Sequence, residues 1–175
     1  IINKSGEEIW LGQNTQITVR NGEGTGYQGV ARDITELHRM QDRLTYLSTH
    51  DYLTELPNRL LFQDKLAYVL ARVKRRRQLA GVLFMDLDGF KSVNDLHGHD
   101  VGDMLLKSVA KRLVDCVREI DIVSRLGGDE FTVIIESAQA LDEIVVIAKR
   151  IIATIAQPYR LGEFDSAVAA FDQVA

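Results

Sequence analysis

The 175-residue sequence contains one cysteine, two prolines and one tryptophan. A single thiol cannot close an internal disulfide, so the fold must be held by its core, and Cys116 reads as a buried member of a helix face rather than a reactive centre. No apolar run approaches the roughly 18 residues that mark a membrane-spanning helix, and no secretory signal pattern is visible. A reducing, cytoplasmic setting is therefore the expectation. The chain opens at Ile1 rather than Met and reads as a piece of a longer protein, which leaves an upstream membrane tether open. Positive charge is also not in excess: 21 Lys and Arg face 25 Asp and Glu, for a net charge of −4. That balance argues against a general nucleic-acid binder. What is present is a 46% hydrophobic content, enough to pack the core of one domain, or of one domain plus a fragment.

The stretch that organises the rest is Arg125-Leu126-Gly127-Gly128-Asp129-Glu130-Phe131. Residues 122–126 read as a short strand and residues 131–135 as a β-branched one. Two glycines between such runs predict a tight hairpin, whose turn needs positive φ. Adjacent acids at the start of an apolar strand repel each other, and a bound divalent cation would remove that cost. A second anomaly lies about 40 residues earlier. The apolar run 80–85 ends in Asp86-Leu87-Asp88, a buried strand delivering acids at its C-terminal end. If the two lie side by side, Asp86 and Asp129 could share Mg²⁺, as phosphoryl transfer requires.

Four motifs occur in order: Asp51-Tyr52-Leu53-Thr54-Glu55-Leu56-Pro57-Asn58-Arg59, Asp86-Leu87-Asp88-Gly89-Phe90-Lys91-Ser92-Val93-Asn94-Asp95, Gly98-His99-Asp100-Val101-Gly102-Asp103, and Gly127 to Phe131. Together they resemble the GGDEF family, the diguanylate cyclases, over roughly residues 48–160. The predicted order of elements, β-α-β-β-α, covers most of a ferredoxin-like βαββαβ unit, an α/β (α+β) fold. The resemblance implies the palm-type catalytic sheet of other nucleotidyl cyclases and polymerases.

Ahead of this part, residues 1–35 look all-β. Residues 8–11 and 15–20 carry strand residues, residues 21–24 read as a turn, and residues 27–35 form the returning strand. Gly24-Thr25-Gly26-Tyr27-Gln28-Gly29 spells Gly-x-Gly-x-x-Gly, but a strand follows where a dinucleotide site needs a helix. The segment resembles the C-terminal part of a PAS sensor domain, including its ending at Asp33-Ile34-Thr35. Residues 36–50 read as a helix with Leu37, Met40, Leu44 and Leu47 on an a/d seam. It fits either a coiled-coil connector, the reading favoured here, or a helix lying on its own domain. Residues 51–175 would then be the GGDEF domain.

Within that domain, Pro57 is expected near the first position of a helix whose inner face is Phe62, Leu66, Val69, Leu70 and Val73. The basic run from Arg72 to Arg77 reads chiefly as a solvated helix end complementing the dipole, with nucleic-acid or membrane contact as the alternative. Helices are expected over 101–117, with Leu105, Leu106, Val109 and Leu113 inward, and over 141–156. Past Pro158 residues 164–171 could supply a strand, but the family's Ser-x-Gly, Ala-Asp and Lys/Arg motifs are missing. The expectation is a domain incomplete at its C-terminus.

The resemblance also assigns roles. Asp86, Asp129 and the backbone carbonyl of Leu87 would hold Mg²⁺ (or Mn²⁺), with Glu130 assisting, and Asp129 would take the proton from the attacking 3′-hydroxyl. Lys91 would offset phosphate charge. Asn94 and Asp103 would read guanine, since an amide and a carboxylate suit its edge, with His99, Gly127 and Gly128 also at the substrate. Arg118 and Asp121 match the Arg-x-x-Asp site at which the family binds its product. The implied reaction joins two GTP into cyclic di-GMP and releases two pyrophosphates in signal transduction, in a homodimer with one GTP per subunit. Two alternatives are a non-catalytic GTP or cyclic di-GMP binding module, and the front of a protein with a phosphodiesterase domain.

Overall fold

A computed structural model of the chain describes residues 1–20, 23–161 and 164–166. It divides into two compact units, one over Ile1–Leu47 and one from Ser48 onward.

In the first unit, β1 (Leu11–Arg20) and β2 (Glu23–Asp33) form an antiparallel pair. Leu11 stands opposite Asp33 and Ile17 opposite Tyr27, with a register shift between Thr18 and Val19. In place of the two short strands expected over 8–11 and 15–20 there is one ten-residue strand that starts only at Leu11, and residues 24–29 lie inside β2. Of the turn expected over 21–24, Glu23 and Gly24 instead belong to β2, and residues 21 and 22 lie outside the described residues. After β2 comes helix α1 (Thr35–Thr49). The chain is pinned at this junction. Asp33 Oδ1 accepts from the Thr35 amide at 2.9 Å, and Thr35 Oγ1 accepts from the Trp10 amide at 2.8 Å. The indole of Trp10 stacks on the His38 ring with centroids 3.8 Å apart. The seam residues Leu37, Met40, Leu44 and Leu47 are 64%, 55%, 68% and 48% exposed.

The second unit is a three-stranded sheet covered on both faces. Its elements are α2 (Arg59–Arg76), β3 (Leu79–Met85), α3 (Phe90–His97), α4 (His99–Cys116), β4 (Ile122–Gly127), β5 (Glu130–Ala138), α5 (Leu141–Ile155), β6 (Tyr159–Leu161) and β7 (Phe164–Ser166). The strand order is β3-β5-β4, with β5 antiparallel to both neighbours. Alternation along the strands divides the core, because successive side chains point to opposite faces. Leu83, Met85, Phe131, Val133 and Ile135 pack with Leu105, Leu106, Val109 and Leu113 of α4 and with Ile147 and Ile151 of α5. Ile134 and Val82 turn the other way, onto Phe62, Leu66, Val69 and Val73 of α2. This is the mixed α/β architecture expected from the β-α-β-β-α order of elements.

Several local expectations are corrected. Pro57 lies near the start of α2 as expected, though ahead of the cap: Asn58 is the N-cap, its side chain accepting from the amides of Leu60 and Leu61. Leu70 is exposed, not inward. The turn of the central hairpin is Gly128-Asp129, because Gly127 pairs with Glu130 as the last residue of β4. Helix α3 was not anticipated: it is only eight residues long and starts after Gly89 with no side-chain cap, so neither a cap nor a long periodic run announces it. The strand expected over 164–171 is β7 over Phe164–Ser166; residues 167–171 lie outside the described residues. Cys116 is buried, as expected. Among the described residues no helix is long and apolar enough to cross a membrane.

Candidate active site at the end of the central sheet

Met85, the last residue of β3, pairs with Phe131 of β5. The chain leaving β3 therefore emerges beside the hairpin turn, and the carboxyl groups of Asp86 and Asp129 come within hydrogen-bonding reach of each other. The Asp86 side chain is exposed, yet its pKa is raised. Incomplete solvation of the carboxylate is the largest cause, followed by the charge of Asp129 and the hydrogen bond between the two acids. Like charges held this close favour a proton or a cation between them.

The turn itself is held from behind. Gly127 and Gly128 have φ of 140° and 55°, and the left-handed value at Gly128 is one that glycine adopts without penalty. Arg125 donates to the Gly128 carbonyl through Nε at 3.0 Å and Nη2 at 2.6 Å. Its Nη1 reaches Asp51 Oδ1 at 2.9 Å, and its amide donates to the Pro57 carbonyl at 3.0 Å. Asp51 also accepts from the Thr54 amide and hydroxyl at 2.9 and 2.6 Å. Burial pushes the Asp51 pKa up, but the hydrogen bonds from Thr54 and Arg125 outweigh it and leave the carboxyl below its ordinary value. The loop 51–59 is thus strapped to the hairpin that carries Asp129.

Glu130 points elsewhere. Its Oε2 is 2.9 Å from Arg59 Nη2, with both side chains more than half exposed. Arg59, Phe84, Met85, Asp86, Leu126, Glu130 and Phe131 line an open cleft of about 330 Å³. Leu87 is buried, and its carbonyl accepts from the Phe90 amide at 3.1 Å, starting α3. Lys91 and His99 are exposed, Asp103 is half-buried, and Asn94 sits on α3 against Gly102 of α4.

The residues present fit a hard divalent cation. Among the described residues no group of three His, Cys, Asp or Glu gathers around one point. The pair Asp86 and Asp129 nevertheless matches the few carboxylates by which Mg²⁺ is held when phosphates and water complete its shell. The crowding recorded in the raised pKa of Asp86 is what such an ion relieves.

Arg118 and Asp121 lie apart from this cleft's lining. Asp121 is buried, and its two oxygens accept from the backbone amides of Arg118 and Glu136 at 3.1 and 3.0 Å. The Arg118 side chain lines a separate cleft of about 320 Å³ with Asp142, Glu143, Val146, Ile147 and Arg150. The sequence reading gave no role to Asp51, Arg59 or Arg125. The available signal was their place inside the quoted motifs, next to Pro57 and the paired glycines.

The sequence model of the family described as "Diguanylate cyclase, GGDEF domain" matches residues 48–170. The chain is 43% identical over 136 residues to the bifunctional diguanylate cyclase/cyclic di-GMP phosphodiesterase MucR of Pseudomonas aeruginosa, covering 78% of this chain and 20% of MucR. Among solved structures it resembles a shortened TpbB of Pseudomonas aeruginosa comprising only the GGDEF domain, at 40% identity and a TM-score of 0.65, covering 67% of this chain and 69% of that one. A sensory box/GGDEF family protein of Caulobacter crescentus is similar at 36% identity and a TM-score of 0.66, covering 70% and 79%. The chain spans about a fifth of the length of MucR and 29% of full-length TpbB. With a match over most of its length, and with the paired acids at the hairpin turn, the chain belongs to the GGDEF domain family of diguanylate cyclases.

Proposed function

We propose that this chain is the catalytic part of a diguanylate cyclase, joining two GTP into cyclic di-GMP with release of two pyrophosphates. The observation that carries the reading is the juxtaposition of Asp86 and Asp129 at the sheet end, with Asp129 presented on a turn held by Arg125. In each half-reaction a ribose 3′-oxygen forms a bond to the α-phosphorus of the other GTP, and the bond to pyrophosphate breaks. Asp129 accepts the 3′-hydroxyl proton. Asn94 and Asp103 read the guanine edge, with His99 at the substrate. Lys91, and the backbone at Gly127 and Gly128, face the phosphates.

Asp86, Asp129 and the Leu87 carbonyl would hold Mg²⁺, which when bound supplies charge to polarise the phosphates and lower the pKa of the 3′-hydroxyl. Glu130 joins them only after leaving Arg59. One site holds one GTP, so two copies must face each other, and the exposed seam of α1 is the means of pairing them. Residues 1–35 we assign to the end of a PAS-type sensor. Arg118 would take product in its own cleft, with the buried Asp121 shaping the loop. A unit that uses GTP would work in the cytoplasm.

The test is Mg²⁺-dependent GTP turnover by the purified chain, with chromatography for cyclic di-GMP, beside Asp129→Asn. Product from the parent alone is expected. Nucleotide binding without product from the parent would favour a binding module instead.

A further inference from the structure

Gly102 is buried in the first turns of α4, facing α3. A Cβ at this position would stand 1.9 Å from Asn94 Oδ1, 3.0 Å from its Cγ and 3.4 Å from Phe90 Cε2. A side chain there would have to displace the Asn94 amide. Asn94 Oδ1 is itself enclosed and has no hydrogen-bond partner, so the oxygen lodges against the Cα of Gly102.

We propose that Gly102 is a positioning residue for base selection: its missing side chain forms the notch that seats Asn94 Oδ1 and so presents Nδ2 outward as a donor. This inference rests on the guanine-reading role of Asn94 proposed above. Turning the amide over would bury its NH₂ in the same notch. A buried donor without an acceptor is rarer and costlier than an under-satisfied carbonyl oxygen. The oxygen also gains the weak Cα–H···O contact that a glycine offers. The amide is therefore fixed in one sense. A donor facing the ligand matches the O6 acceptor of guanine and opposes the N6 amino group that adenine carries in its place, N7 being an acceptor in both. The selectivity that Asn94 provides is in this way set from α4.

The experiment compares Asn94→Ala, Gly102→Ala and the double variant in the whole chain. Mg²⁺-dependent displacement of a fluorescent GTP analogue by GTP and by ATP gives the affinity ratio, and thermal unfolding gives stability. Asn94→Ala is expected to reduce the preference for GTP over ATP by about 10- to 100-fold, and Gly102→Ala to do the same. The double variant should match Asn94→Ala in that ratio and unfold at a higher temperature than Gly102→Ala, because shortening Asn94 empties the notch; non-additivity of this kind marks direct coupling. A folded Gly102→Ala with the parent's ratio, beside an Asn94→Ala that loses it, would overturn the positioning role and leave the cyclase reading standing. An unchanged ratio in Asn94→Ala would overturn the guanine-reading role and this inference with it, while turnover dependent on Asp129 remained. Where Gly102→Ala fails to fold, the double variant decides: a folded double variant supports the inference, and an unfolded one shows that the obstruction lies elsewhere and overturns it.

Discussion

Arg125 Nη1 lies 2.9 Å from Asp51 Oδ1, a pair 74 residues apart in the chain, with side chains only 8% and 14% exposed. The same guanidinium grips the Gly128 carbonyl next to Asp129. Asp51 thus reaches the turn through one intermediary. Removing one partner of a buried pair leaves the other charge uncompensated, at a cost of about 3–5 kcal/mol. Asp51→Ala should lower unfolding stability by about 3 kcal/mol, measured by urea denaturation at pH 7. Because the folded-state pKa of Asp51 lies below its ordinary value, this stability is present above the ordinary carboxylate pKa and is lost as pH falls through the depressed one. The gap between parent and variant should therefore close in acid.

The reverse sign holds at Asp86. Its pKa is raised, so the folded state binds a proton there more readily than the unfolded one. That contribution is complete below the ordinary carboxylate pKa and is lost as pH rises through the raised value. At pH 7 without metal, Asp129→Asn should stabilise the chain by a few tenths of a kcal/mol, a small gain because the Asp86 side chain is exposed and solvent-screened. Thermal unfolding with and without Mg²⁺ checks this. The parent should gain stability from the ion and the variant should gain little, and Mg²⁺ binding by the parent should weaken as pH drops through the raised pKa of Asp86.

Arg59 and Glu130 make an exposed pair at 2.9 Å, of a kind worth about 1 kcal/mol or less. Arg59→Ala should hardly change stability. It frees Glu130 beside Asp86, so Mg²⁺ affinity should rise severalfold, read by calorimetry. An unchanged or weaker affinity would remove Glu130 from the metal's surroundings.

Much of this architecture was legible in the sequence, and the gaps have physical causes. The strands at 79–85 and 130–138 were readable because their residues are apolar on both faces, as a sheet covered on both sides requires. The buried helix α4 was readable from Leu105, Leu106, Val109 and Leu113. The juxtaposition of Asp86 with the hairpin turn followed from one strand that ends in acids and another that is led in by them. Helix α3 was not readable, because it is too short to show a period. The engagement of Glu130 by Arg59 was equally hidden: a long-range pair between exposed side chains leaves no local pattern. The register of the turn was missed because a bulge between Arg125 and Gly127 shifts the two-residue loop onto Gly128-Asp129, and the paired glycines alone cannot reveal that shift.

The exposed seam on α1 gives the last expectation. Leu37, Met40, Leu44 and Leu47 recur at spacings of three and four, and each is about half exposed or more in the single chain. A stripe of that spacing is the surface by which two helices pair. If it brings two copies together, Leu44→Lys with Leu47→Lys places like charges across the seam of both helices and separates them. GTP binding by the monomer needs only one copy's site and should be unchanged. The proposed reaction needs two, so on that reading turnover at fixed low-micromolar protein should fall about tenfold or more and recover as concentration rises, because mass action opposes the lost contact. Light scattering beside a dilution series of turnover separates the two effects. Full turnover by the doubly substituted chain at low concentration would show that pairing, where it occurs, does not use this helix.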